Sequence, residues 1–441
     1  MKENKLSLYK AVYSNFLNPI SDKKCDFLEN YALIAKKYAN GYKIIKICPI
    51  KEADEFLKTK RSSEIIYLED KICVPGFYDT HFHWVQDEVR EMPKDNLLDW
   101  LSNHTWPYEA KFKSKTFAKN KSREFARKIF ENGTIGGACY GSIHKHSVDT
   151  AFETFVGDYV VGNVLMTMNS PDYLLQKEHK AKELVTELSK KYKSKYAMTP
   201  RFAITTDPDT MKHGAKEAKK NSSFIQTHLS ETENEIDFVM SIYKEIEGFK
   251  DVKSYTEIYD RCNLLGPKTI MGHGIYLSQK ELKRLSQTRT AIAHCPTSNA
   301  PLKQKGLGSG LFDFKKASKM KIRWSLASDI GGGPYLSMLD VMNSFVAQNT
   351  KKEKGSTNYS QALFRSTLAG ATLLGLEKES GNFMQGKYLS FTCLGDRPKG
   401  SSLKANEILT KIIKKSAKNR HLYQDLVEFC AYRGVNFMSK Y

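Results

Sequence analysis

Beyond about residue 71 the chain alternates short apolar runs with charged stretches whose apolar residues recur at helical spacing. The apolar runs predict buried strands at Ile72–Phe77, Thr134–Tyr140, Tyr159–Met166, Tyr196–Thr205, Ser223–His228, Thr269–His273, Ala291–His294 and Ile322–Ser328. Helical patterning falls between them, at Ser122–Asn132, Lys180–Lys191, Glu231–Ile246 and Gln279–Ser286. Eight strands of parallel type separated by helices predict a (β/α)8, or TIM, barrel. Residues 1–70 have another texture: strands at Tyr42–Ile47 and Glu64–Leu68 frame an expected helical piece at Ser21–Ala39. After about Gly381 the pattern again becomes short-stranded, ending in Asp425–Met438. The expected organisation is a barrel over 71–385, with 1–70 and 386–441 pairing as one small β-rich domain. There is no fixed-period repeat.

Composition narrows the setting. The 441 residues are 40% hydrophobic, enough for a sizeable core, and such barrels reach this length as one domain with additions. No run approaches the 18 or so apolar residues a membrane span needs, and no apolar stretch follows the N-terminal lysines as a secretory signal would. The eight cysteines are scattered without a C-x-x-C pair, which fits reduced thiols in the cytoplasm. A formal charge of +20 raises nucleic acid as a partner. The lysines, however, are spread in pairs such as Lys36-Lys37 and Lys190-Lys191, without a basic tail or interleaved aromatics. A solvated surface is the expectation.

The chemistry sits at the strand ends. His81 and His83 form an H-x-H pair, and alternation along a strand sends both imidazoles to one side. His228, His273, His294 and Asp329 close later strands, and in such barrels catalytic groups stand at the C-terminal ends. His81, His83, His228 and Asp329 make a mononuclear zinc set with a position left for water, iron(II) being the competing metal. No lysine ends the fourth strand to bridge two metals. Glu231, three residues after His228, is placed to shuttle a proton, or else simply favours a helix N-terminus, with Ser230 as its cap. His273 is the natural partner of the water. His294 reads equally well as a supporting or a structural residue.

Taken together, the stretches PGFYDTHFHWVQ (75–86), NLLDWLSNHTWPYE (96–109), TPRF (199–202), THLSETENEI (227–236), GHGIYLSQKEL (272–282), AHCPTSN (293–299) and SDIGGGPYLSMLD (328–340) resemble the amidohydrolase superfamily. The LLDWLSNHTWPYE, TPRF and YLSMLD segments resemble the guanine deaminase family within it, over about residues 70–386. The resemblance implies one zinc per chain on His81, His83, His228 and Asp329, with catalysis by Glu231, His273 and Asp329. It also implies purine contacts from Gln86, Arg201 and Phe202, beside His83, His228, Glu231 and Asp329. Implied too are a homodimer and hydrolysis of guanine to xanthine and ammonia. The H-x-E and P-C-x-x-C motifs of smaller zinc deaminases are absent from the sequence. Rival expectations are the same barrel acting on 8-oxoguanine, a pterin or a triazine, and a non-catalytic scaffold or nucleic-acid-binding protein.

Three departures mark the chain. Trp84 and Val85 separate His83 from Gln86 where relatives carry other residues, so they are expected to shape the pocket. Ala327-Ser328 stands where a Gly-Thr pair is usual. Gly386-Lys387-Tyr388-Leu389-Ser390 resembles a G-K-x-A-D turn without its aspartate.

Overall fold

Strand β1 (Tyr9–Ser21) has successive residues in two different cores, because both faces of its sheet are covered. The computed structural model describes residues 7–60, 62–94, 96–400, 402–417 and 426–437. After β1 come β2 (Lys24–Tyr38), β3 (Gly41–Pro49) and β4 (Ser63–Pro75). Eight further strands follow: β5 (Phe77–His83), β6 (Thr134–Gly141), β7 (Asp158–Leu165), β8 (Ala197–Pro200), β9 (Phe224–Leu229), β10 (Thr269–His273), β11 (Ala291–His294) and β12 (Arg323–Leu326). The last two are β13 (Phe391–Asp396) and β14 (Phe429–Ala431).

The terminal strands build one six-stranded mixed sheet in the order β14-β13-β4-β1-β2-β3. Only β1 and β4 run parallel; the other pairs are antiparallel. Val12, Phe16, Leu33 and Ile44 join Phe391 in one cluster, while Ala11, Tyr13, Ala32 and Ile34 join Ala53 and Leu57 of the helix Ile50–Lys58 in another. This two-residue alternation is what a strand buried on both sides produces.

The segment Ser21–Ala39, expected to be helical, is instead mostly strand β2. Its Leu, Ala, Glu and Lys residues favour a helix in isolation. In the fold it pairs with β1 along one edge and β3 along the other, and that pairing overrides propensity. The helix of this region lies later, at Ile50–Lys58. A helix at Ala405–Ala417 also interrupts the expected short-stranded tail. Asp425 and Met438, which bound the last expected segment, lie outside the described residues.

Strands β5 to β12 form the eight-stranded sheet in sequence order, the TIM-barrel arrangement, and their recorded pairings are parallel. The first and last strands meet. The Asp329 amide donates to the His81 carbonyl at 2.8 Å, and Thr80 and Ser325 share a hydroxyl hydrogen bond of 2.7 Å. Two strand boundaries differ from expectation. Residues 72–75 finish β4, and the first barrel strand is Phe77–His83. The expected strand Tyr196–Thr205 contracts to β8, which stops at Pro200, a residue with no N–H to carry the ladder further.

The chain divides into two compact units, residues 1–78, 127–135 and 337–441, and residues 79–126 and 136–336. Every residue of the site described next belongs to the second unit. Among the described residues, no helix is long and apolar enough to cross a membrane.

Candidate active site

His81 and His83 end β5, His228 lies near the end of β9, His273 ends β10, and Asp329 follows β12 by three residues. The strand ends are bent to aim these groups. Ser230, His273 and Asp329 have φ of 50°, 69° and 51°, in the left-handed region that side-chain-bearing residues seldom occupy. Gly272 makes room for the cluster: a Cβ there would stand 2.6 Å from Cε1 of His81.

His81 Nε2 lies 3.2 Å from Asp329 Oδ1, His83 Nε2 lies 3.6 Å from the same oxygen, and His83 and His228 bring their Nε2 atoms to 3.1 Å. These separations resemble the edges, about 3.3 Å, of a tetrahedron whose ligands stand 2.0–2.1 Å from a metal. His228 Nδ1 donates to the Arg201 carbonyl at 2.5 Å, so in the neutral ring Nε2 keeps its lone pair for a cation. Burial, above all, lowers the pKa of His81 and of His228 to about 3 and that of His83 well below the usual range. All three rings are therefore neutral, as metal ligation requires. His81, His228, His273 and Asp329 also offer ligand atoms all within 4.8 Å of one another. Proton placement sets His273 apart. Its Nδ1 is 3.1 Å from Asn299 Nδ2, which can only donate, so Nε2 of the neutral ring carries hydrogen and has no lone pair to give. That Nε2–H faces Glu231 Oε2 at 3.4 Å and Asp329 Oδ2 at 3.9 Å. The residues present fit one metal ion.

Glu231 is buried, and Oε1 accepts from Ser309 Oγ at 2.9 Å and from Asn299 Nδ2 at 3.2 Å. Desolvation, then the negative charges of Asp329 and Glu235, push its pKa well above the carboxylate range. Burial thus favours the protonated acid, the form that has a proton to give. The adjoining helix starts at Glu233, with Thr232 as N-cap in a capping box with Glu235. Ser230 is thus not the cap, and Glu231 precedes the helix rather than serving its first turn.

A cleft of about 400 Å³ opens on this cluster, lined by His83, His228, Glu231 and Asp329 and also by Gln86, Arg201 and Phe202. Behind Gln86 and Arg201 stands Glu109, fully buried. Its Oε1 accepts from Gln86 Nε2 at 2.7 Å, and Arg201 Nη1 reaches its two oxygens at 3.0 and 2.8 Å. Leu97, Trp100, Leu101 and Leu307 supply apolar walls.

Trp84 does not shape this cleft. Its ring packs among Phe112, Phe125 and Phe155, its Nε1 donates to the Ser147 carbonyl at 3.2 Å, and neither it nor Val85 lines the opening. His294 packs on Phe312 and Trp324, away from the cleft lining. Ser328 supplies a hydroxyl to buried Asp79, whose other oxygen takes the Ser328 amide at 3.0 Å. The Ala-Ser pair thus keeps a hydroxyl where Gly-Thr is usual. Glu109, Asn299 and Ser309 carry parts of the site that sequence reasoning missed. Glu109 and Asn299 lay inside the quoted motifs, but nothing in the pattern marks Ser309.

Comparison with known proteins identifies the family. Residues 72–423 match the amidohydrolase family model. The guanine deaminase of Escherichia coli is 33% identical over 397 residues, 87% of each chain. That of Rattus norvegicus is 35% identical over 346 residues, 75% of this chain and 74% of its own. The crystal structure of guanine deaminase from C. acetobutylicum, with guanine bound in its active site, superposes with a TM-score of 0.81 at 27% identity, covering 97% of this chain and 99% of that one. The chain belongs to the amidohydrolase family, on the branch of the guanine deaminases.

Proposed function

We propose that the protein hydrolyses guanine to xanthine and ammonia. One observation carries the reading. The same cleft holds the histidine–aspartate cluster and Glu231 on one side, and a purine-sized recognition set, Gln86, Arg201 and Phe202, on the other. Family membership and the guanine found in the C. acetobutylicum relative support it.

His81, His83, His228 and Asp329 would hold a divalent metal, zinc or else iron(II), which when bound would supply Lewis-acid activation of water. The protein's residues do the rest. Phe202 offers a ring face to the planar base, and Arg201 and Gln86 offer N–H groups to its 6-oxo oxygen. His273, fixed by Asn299, turns Nε2–H towards Asp329 and Glu231 and steadies the water between them. Glu231 gives a proton to the ring nitrogen beside the amino-bearing carbon and another to the departing amine, and takes back the two protons of the attacking water. Water supplies the oxygen and ammonia leaves. The apolar walls limit competing solvent.

The rest of the reading rests on the sequence: the resemblance implies a homodimer, the scattered cysteines fit the cytoplasm, and the hydrophobic pattern supports a barrel over 71–385 with a small domain from 1–70 and 386–441. Sedimentation velocity tests the dimer. Ammonia release measured on guanine, adenine, 8-oxoguanine, a pterin and an aminotriazine tests the substrate. Guanine is expected to be fastest, and no release from guanine would overturn the reading.

A further inference from the structure

Glu109 does not line the cleft, yet both of its oxygens are spent on residues that do. Its effect is to fix polarity. Gln86 Nε2 donates to the carboxylate, while Gln86 Oε1 accepts the Gly331 amide at 3.2 Å. Flipping the amide would set oxygen against carboxylate and N–H against N–H, so the orientation is determined. What Gln86 and Arg201 retain for the cleft are the second N–H of Nε2 and the guanidinium N–H groups that Glu109 leaves unused. A carbonyl meets donors there. An amino group in the same place meets N–H with N–H. The carboxylate also balances the Arg201 charge, so the wall is suited to a neutral base; without it Arg201 is an uncompensated buried cation.

We propose that Glu109 is the positioning residue that sets selectivity for a 6-oxopurine, by holding Gln86 and Arg201 as an array of donors. The inference rests on the guanine reading above and goes beyond it in naming what orients the recognition pair. The discriminating probe is 2-aminopurine, which keeps the amine on the reacting carbon and lacks the 6-oxo group. kcat and KM are measured for guanine and 2-aminopurine in the wild type, Glu109→Gln and Glu109→Asp, with metal content and unfolding midpoint alongside.

The wild type is expected to prefer guanine by about 10⁴-fold, the scale for a site built around a hydrogen bond that the poorer substrate cannot make. In Glu109→Gln, kcat/KM on guanine is expected to fall about 100-fold, mostly through KM. The 2-aminopurine rate should fall at least about tenfold less than the guanine rate, and metal content should be unchanged. Glu109→Asp keeps the charge on a shorter arm and should restore part of the preference. Equal losses on both substrates, or an unchanged ratio, overturn the proposal. If Glu109→Gln does not fold, Glu109→Asp decides, since a wild-type ratio in it also overturns the proposal. A wild type inactive on guanine overturns the functional reading itself, a result distinguishable because it appears before any variant is made.

Discussion

At the scale of single residues, side chains in this site owe their roles to what stands behind them. His273 is a buried imidazole and His228 a half-buried one, both at strand ends, yet Asn299 makes the first a donor while the Arg201 carbonyl leaves the second a lone pair. Replacing His228 by Ala is expected to lower both bound metal and turnover, read by elemental analysis and ammonia release; full metal with full rate would refute the ligand set. Glu231→Gln keeps shape and removes the transferable proton. The rate should fall at least about 100-fold with metal retained, the usual cost of losing a placed acid–base group. Trp84 makes the opposite case. Trp84→Ala should cost about 3–5 kcal/mol in chemical denaturation, the range for emptying a buried aromatic site. KM for guanine should barely move, because the ring faces Phe112 and Phe155 rather than the cleft. The sequence displayed the histidines and Asp329 because an H-x-H pair and histidines at strand ends are unusual. It concealed Glu109 and Ser309, since a buried carboxylate or hydroxyl has no pattern until its partners are known.

At the scale of elements, the barrel strands were readable and the terminal sheet only partly so, for one physical reason. A short strand covered on both faces is a continuous apolar run, as in Ala291–His294, where expectation and structure coincide. Strand β2 is long, half exposed and rich in Lys and Glu, so its local signal favours a helix and only its two neighbours make it a strand. Boundaries slipped where one strand hands over to the next, as at Gly76 between β4 and β5. Element packing also constrains the chemistry. Gly272→Ala in β10 would push a methyl group into the His81 ring. Loss of bound metal with an unchanged far-UV circular dichroism spectrum is the expected result, and normal metal content in that variant would show that the ring has room to yield.

At the scale of the whole molecule, the alternation of apolar runs with helical segments led to the right class, and the +20 charge was uninformative about mechanism because the cleft is built from neutral imidazoles and paired charges. A bound metal would join ligands from two strands and the loop after a third, so it should favour the folded state. Ligand at about 100 times its Kd adds about 2.7 kcal/mol. Chelation is therefore expected to lower the thermal midpoint by about 3 °C, with recovery on adding zinc, as read by scanning calorimetry. The hydrogen bonds between β5 and the segment after β12 have a kinetic meaning as well. Asp79 and Ser328, which meet at this seam, are 249 residues apart in the chain. His81 and His83 are thus made early in synthesis, and their carboxylate partner arrives only when nearly the whole barrel has been laid down. Contacts so distant in sequence form late, because the entropy of closing a long loop must be met before they reward it. Metal capture is then a timer for ring closure: during refolding, tight zinc uptake should lag behind the growth of helical circular dichroism. A chain truncated before Arg323 should hold the three histidines and still fail to retain the ion.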